Sequence, residues 1–169
     1  SLDTSSPNTN NQTPTITGNA EADSTITLLD GNVEIGTATA DSEGAFTITP
    51  STPLEDGTYS LITKSIDSAG NISSQSASIS ITIDTTAPNA PSTLATASSV
   101  TDNTTPTITG NAEADSTITL LDGNVEIGTA TANSEGAFTI TPSTPLEDGV
   151  YSLKLTATDL VGNISSKSS

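Results

Sequence analysis

Pro14-Thr15-Ile16-Thr17-Gly18-Asn19-Ala20-Glu21 returns unchanged as Pro106-Thr107-Ile108-Thr109-Gly110-Asn111-Ala112-Glu113. The interval is 92 positions, and at that offset residues 1–77 lie on residues 93–169 without a gap. From 14 to 57 the copies differ once, where Asp41 becomes Asn133. Identity of that kind points to recent duplication of a module. Outside it the copies drift: Leu61-Ile62-Thr63-Lys64-Ser65-Ile66 stands opposite Leu153-Lys154-Leu155-Thr156-Ala157-Thr158.

Within each copy, Thr and Ser alternate with Ile, Val and Leu in short runs broken by Gly, Asn, Asp and Pro, and helical periodicity is absent. That pattern is all-β. Strands are expected over 2–6, 15–18, 25–29, 33–40, 45–49, 58–66 and 76–83. Alternation turns Ile26 and Leu28, Val33 and Ile35, Phe46 and Ile48, Tyr59 and Leu61, and Ile79, Ile81 and Ile83 inward. Asp30-Gly31-Asn32 and Ser42-Glu43-Gly44 supply turn residues. Seven strands in a 92-residue repeat suit an immunoglobulin-like sandwich, which takes about 100 residues. Tyr59 lies two residues before Leu61, where that fold places a corner tyrosine before its second core cysteine. The expected architecture is two tandem immunoglobulin-like Greek-key β-sandwiches: repeat 1 over 1–87, a linker over 88–92 and repeat 2 over 93–169.

Composition narrows the chemistry. With no Cys and no His, thiol, imidazole and zinc chemistry are excluded. Each repeat has one Phe and one Tyr for its core (Phe46, Tyr59, Phe138, Tyr151), so stability margins should be thin, and without disulfides a metal is the remaining staple. Twenty acids against three lysines give a net charge of −17, a surface that repels nucleic acid and anionic membranes. Such acidity with few aromatics also fits disorder, against which the strand patterning argues. No apolar run approaches the ~18 residues that span a membrane. Without a Met the chain reads as a piece of a longer protein, with any export signal outside it.

Pro14-Thr15-Ile16-Thr17-Gly18-Asn19-Ala20-Glu21, Leu54-Glu55-Asp56-Gly57-Thr58-Tyr59, Asp67-Ser68-Ala69-Gly70-Asn71 and Asp84-Thr85-Thr86-Ala87-Pro88 come in that order at fixed spacing. Together they make the chain resemble the bacterial Ig-like (BIg) repeats. The resemblance implies a tandem repeat of a giant surface adhesin or biofilm-associated protein of the RTX, type I-secreted kind, extracellular on the bacterial cell surface. In several such proteins calcium at the linkers stiffens the rod.

The acids divide between two poles of a sandwich with this strand order. The C-terminal pole of repeat 1 should collect Asp30, Glu55, Asp56 and Asp84, and the N-terminal pole of repeat 2 Glu113, Asp115, Glu135 and Asp159. Two like charges about 4 Å apart repel by about 4 kcal/mol at an effective dielectric of about 20. A cation would reverse that sign, and loop carboxylates and carbonyls suit calcium better than magnesium. Calcium is therefore expected between the repeats on Asp84, Glu113 and Asp159, with Asp115 and Asp56 as second choices, and Glu21, Asp23 and Asp67 form the equivalent pole of repeat 1. The competing reading is that these acids only solvate loops and shape turns.

Two acids could serve a glycosidase, but stacked poles offer no cleft, and an enzyme is not expected. Lys64 aligns with Thr156 and Lys154 with Ile62, so no shared lysine could form an intramolecular isopeptide bond. Asn11, Asn71, Asn103 and Asn163 open N-x-S/T triplets and read as turn residues. The expected function is a non-catalytic structural spacer partnered by neighbouring repeats of the same chain, with no nucleic acid and no direct membrane insertion. Any host or surface receptor would be reached through domains outside this sequence. The alternative is a carbohydrate- or protein-binding module on the same fold. Ser78-Ile79-Ser80-Ile81-Thr82-Ile83-Asp84 has no counterpart after Ser169, so repeat 2 should lack its last strand and carry a groove over its core. Either an extended segment of another chain fills that groove, or the strand has been trimmed from this sequence or is disordered beyond Ser169; trimming is the preferred reading.

Overall fold

Where threonine alternates with larger apolar residues, strands form and sort their side chains by face. The computed structural model describes residues 2–4, 7–96, 98 and 100–169, in two compact units, Ser1–Thr85 and Thr86–Ser169. Unit 1 holds β1 (Leu2–Thr4), β2 (Asn8–Thr9), β3 (Ile16–Asn19), β4 (Thr25–Asp30), β5 (Val33–Thr39), β6 (Ala45–Ile48), β7 (Gly57–Ile66) and β8 (Ile79–Ile83). They form a sheet β1-β3-β6 and a sheet β2-β8-β7-β4-β5. Every pairing is antiparallel except β2 with β8. Unit 2 holds β9 (Ser92–Thr96), β10 (Ile108–Asn111), β11 (Thr117–Asp122), β12 (Val125–Thr131), β13 (Ala137–Ile140) and β14 (Leu153–Thr158), in sheets β9-β10-β13 and β12-β11-β14. The fold is all-β, and no helix is present among the described residues.

The expected inner faces pack as cores. Ile16, Ile26, Leu28, Ile48, Leu61, Ile81 and Ile83 are essentially sealed in unit 1, as are Ile118, Leu120, Ile140 and Leu155 in unit 2. Val33 is a correction: it is 65% exposed, and its copy Val125 66%. The cause is a β-bulge, where Leu28 pairs Gly36 but Leu29 pairs Glu34. The extra residue, Ile35, lies on β5 and shifts the alternation of that strand beyond it, so Val33 faces water. Past the bulge β5 presses against the chain leaving β6, and a Cβ on Gly36 would lie 2.6 Å from the Thr49 carbonyl oxygen. Only glycine fits there.

Two other expectations are modified. Of the strand expected over 2–6, residues 2–4 form β1, and Ser5 and Ser6 lie outside the described residues. The strand expected from 76 starts at Ile79. Before it the chain pairs with β7 through serines: the Ser73 and Ser76 hydroxyls accept the N–H groups of Ser65 and Thr63, while the N–H groups of Ser73 and Ser76 donate to the Ser65 and Thr63 carbonyls. Ser165 and Ser168 repeat this in unit 2. Tyr59 forms the expected corner, its hydroxyl donating to the Glu55 carbonyl at 3.0 Å, as Tyr151 does to Glu147.

The positions that would copy β8 lie beyond Ser169, outside the sequence described. In unit 1, Gly57 through Leu61 pair with Ile83 through Ile79. Their copies Gly149 through Ser152 lie outside any strand, and β14 begins only at Leu153.

Candidate functional site

The acids sit on turns that the strand register places at the poles of each unit. In unit 1, Leu2 pairs Gly18, Thr25 pairs Ile66, and the Asp23 N–H donates to the Asp41 carbonyl. Glu21, Asp23, Asp41 and Asp67 therefore share the end at which the chain enters. At the other end Ile83 pairs Gly57, bringing Asp84 beside Asp56. Unit 2 is entered likewise: Ser92 pairs Asn111 and Thr117 pairs Thr158, which puts Glu113, Asp115 and Asp159 on its N-terminal pole.

Most of these acids also have a local job. Asp23 and Asp115 adopt left-handed φ angles of 60° and 62°, a conformation that Asp tolerates better than most side chains. In the same turns Ser24 and Ser116 close on the carbonyls of Glu21 and Glu113 through both N–H and hydroxyl. The side chains of Glu21 and Glu113 are exposed. Asp56 accepts the N–H and the hydroxyl of Thr85 on one oxygen, Oδ1, and so fixes the chain as it leaves unit 1. Asp84 is half-buried, and its N–H donates to the Thr9 carbonyl.

Asp67 and Asp159 are the cores of their loops. Oδ1 of Asp67 accepts the N–H groups of Ala69 and Asn71, and Oδ2 accepts the Asn71 side-chain amide. The Asn71 side chain and backbone, with the Ala69 and Gly70 amides, outweigh a small desolvation and hold Asp67 below the ordinary aspartate range. At Asp159 burial is the largest single influence and pushes upward, but the Asn163, Val161 and Gly162 donors together outweigh it and the carboxyl is again depressed. Its Oδ1 takes three backbone N–H groups and Oδ2 the Asn163 side chain. Of the two oxygens, Oδ2 keeps more capacity for a cation.

Asp41 separates charge from shape. Its Oδ1 accepts the N–H groups of Glu43 and Ala45, and Oδ1 of Asn133 accepts those of Glu135 and Ala137 with nearly the same lengths. The turn needs the oxygen and not the charge. The Asn residues of the N-x-S/T triplets also serve turns: Asn11 and Asn103 accept from Thr13 and Thr105, and Asn71 and Asn163 lie in the aspartate loops. Within either unit, no three acids among the described residues stand close enough to hold a metal ion by themselves.

Comparison with known proteins follows the same two-unit division. The family model described as bacterial Ig-like domain matches residues 2–85 and again residues 87–169. No curated protein matches the chain. Among solved structures, one titled "Biofilm associated protein - BSP domain" is 26% identical, covering 96% of this chain and 27% of that one, at a TM-score of 0.39. A tetra-tandem repeat in the extending region of a large adhesion protein is 23% identical, covering 98% and 47%, also at 0.39. Bacteroides uniformis beta-glucuronidase 3, in its apo form, is 13% identical, covering 99% and 24%, at 0.34. The chain thus spans half or less of each structure, and likeness at such TM-scores carries no functional weight.

Proposed function

The chain belongs to the bacterial Ig-like domain family, and we propose that it is a non-catalytic spacer in an extracellular bacterial surface protein of the adhesin or biofilm kind. One observation carries this reading: unit 1 is entered at the pole of Gly18 and left at the opposite pole, beside Gly57. Joined repeats of that kind extend reach, and near-identical copies add length without adding a new surface. The ten residues of β7 set the scale, about 33 Å per unit at about 3.3 Å per residue.

The finer part of the proposal is calcium on the carboxylates that border the linker, Asp84 on one side and Glu113 and Asp159 on the other. Its support is chemical: carboxylate oxygens in turns, of which Glu113 is exposed and Asp84 and Asp159 are half-buried, with high net negative charge and no basic residue among these turns. Small-angle scattering and calorimetry of the chain in calcium and in EDTA test both parts. An elongated particle that stiffens and melts higher in calcium is expected. A collapsed particle removes the spacer, and curves identical with and without calcium remove the ion. Selective capture on a glycan array would instead favour a carbohydrate-binding module.

A further inference from the structure

Among the described residues, those other than glycine that hold a left-handed backbone are Asp23, Asp115 and Thr93, the last with φ 49°. The two aspartates are copies of each other and of a type that tolerates the conformation. Thr93 is not, because its branched Cβ crowds a left-handed backbone. It is the second residue of β9, the strand by which the chain enters unit 2. There Thr109 pairs Ala95 and Asn111 pairs Ser92, so Thr93 and Leu94 together oppose Gly110. In a bulge of that kind the left-handed first residue is ordinarily glycine.

Local contacts hold the strained residue in place. The Asn111 side-chain amide donates to the Thr93 hydroxyl, which itself donates to the Ser92 carbonyl at 2.8 Å. Gly110 lets the bulge lie close, since a Cβ there would stand 2.8 Å from Leu94 Cδ2 and 2.9 Å from the Ser92 carbonyl oxygen. Packing adds little. β9 is an edge strand with all its residues exposed, and Leu94 is exposed where its copy Leu2 packs against the core of unit 1. Backbone strain and shallow packing thus meet at one residue, opposed by the bonds of its own hydroxyl.

We propose that Thr93 is a two-state hinge at the entrance to unit 2. In one state it is left-handed, bulged and bonded to Asn111. In the other it relaxes to extended backbone, Ser92 leaves Asn111, and the chain enters along a different direction while Ala95 and Thr96 keep their pairs with β10. The use of this hinge as a yielding joint rests on the spacer reading; its existence rests on the backbone of Thr93 alone.

NMR relaxation dispersion on the 169-residue chain tests this, because exchange between such states falls in the range that the method reads. Dispersion is expected at the amides of 92–94 and 110–111 and at the Asn111 side chain, and not along β11 to β14. Thr93→Asn, which accepts the left-handed backbone and keeps a side-chain oxygen, should lower the open population about tenfold. Thr93→Val, which keeps the strain and loses the hydroxyl, should raise it a few-fold. Flat profiles at 92–94, dispersion spread through all of unit 2, or an unchanged open population in the asparagine variant would overturn the hinge and leave the spacer standing. A collapsed particle in scattering would remove the spacer alone.

Discussion

Gly57-Thr58-Tyr59-Ser60 is strand and Gly149-Val150-Tyr151-Ser152 is not, although only one residue differs between them. Both keep the corner hydrogen bond of the tyrosine to the carbonyl four residues upstream. What separates them is β8, nearly twenty residues further along in unit 1. Strand propensity at this edge is latent, and a neighbour with free N–H and C=O groups makes it real. β11 shows the converse, because its copy of β4 keeps all its partners and reproduces the register pair by pair, bulge included.

The largest way to break this contrast is to extend the chain beyond Ser169 with the sequence Ser78–Asp84. Burying three isoleucines is worth about 1.5–3 kcal/mol each, so calorimetry should show unit 2 melting well below unit 1 before the extension and near it afterwards. A single shared transition in the unextended chain would show that the last strand does not matter. The reverse change is Ile81→Ala in unit 1, at a fully buried position of β8. It should cost about 2–5 kcal/mol and bring the melting of unit 1 down toward that of unit 2, leaving unit 2 unchanged.

A smaller effect sharpens what the units share. Asp67 and Asp159 are both held below the value of 3.8 usual for aspartate. A depressed folded pKa contributes stability above the unfolded value and loses it as pH falls through the folded one. The amides at 69–71 and 161–163 should thus keep their exchange protection as pH falls through 3.8 and lose it only at lower pH. Loss already well above 3.8, for example at about pH 6, would contradict the hydrogen-bonded loops. The smallest effect is that of Asp41→Asn, which writes one copy into the other. Its melting shift should lie within about 0.5 kcal/mol, and a larger cost would mean that the charge does something the shared oxygen contacts do not.

Much of this was legible from spacing. The seven strands of the first repeat and the corner tyrosine follow from alternation, turn residues and the 92-position offset. Val33 was misread because a bulge inserts one residue without any local mark, and period-2 counting continues straight through it. β2 was invisible because two residues have no periodicity, and its pairing is with a strand more than 70 positions away. The acids were legible by pole and not by role: carboxylates that cap turns and carboxylates that border the linker carry the same letters.

The parallel pairing of β2 with β8 has a mechanical consequence. Tension applied through the two ends of unit 1 pulls β2 back from its start and β8 forward from its finish, along their common axis. Their hydrogen bonds are then loaded in shear, together, instead of opening one after another like a zip. Only unit 1 has such a clamp among the described residues. Unit 1 pulled between its ends should yield at a lower force when Ile81 in β8 is replaced by alanine, and an unchanged rupture force would show that the clamp lies elsewhere. In a row of such repeats, the strength of each link would rest on a strand contributed at its very end.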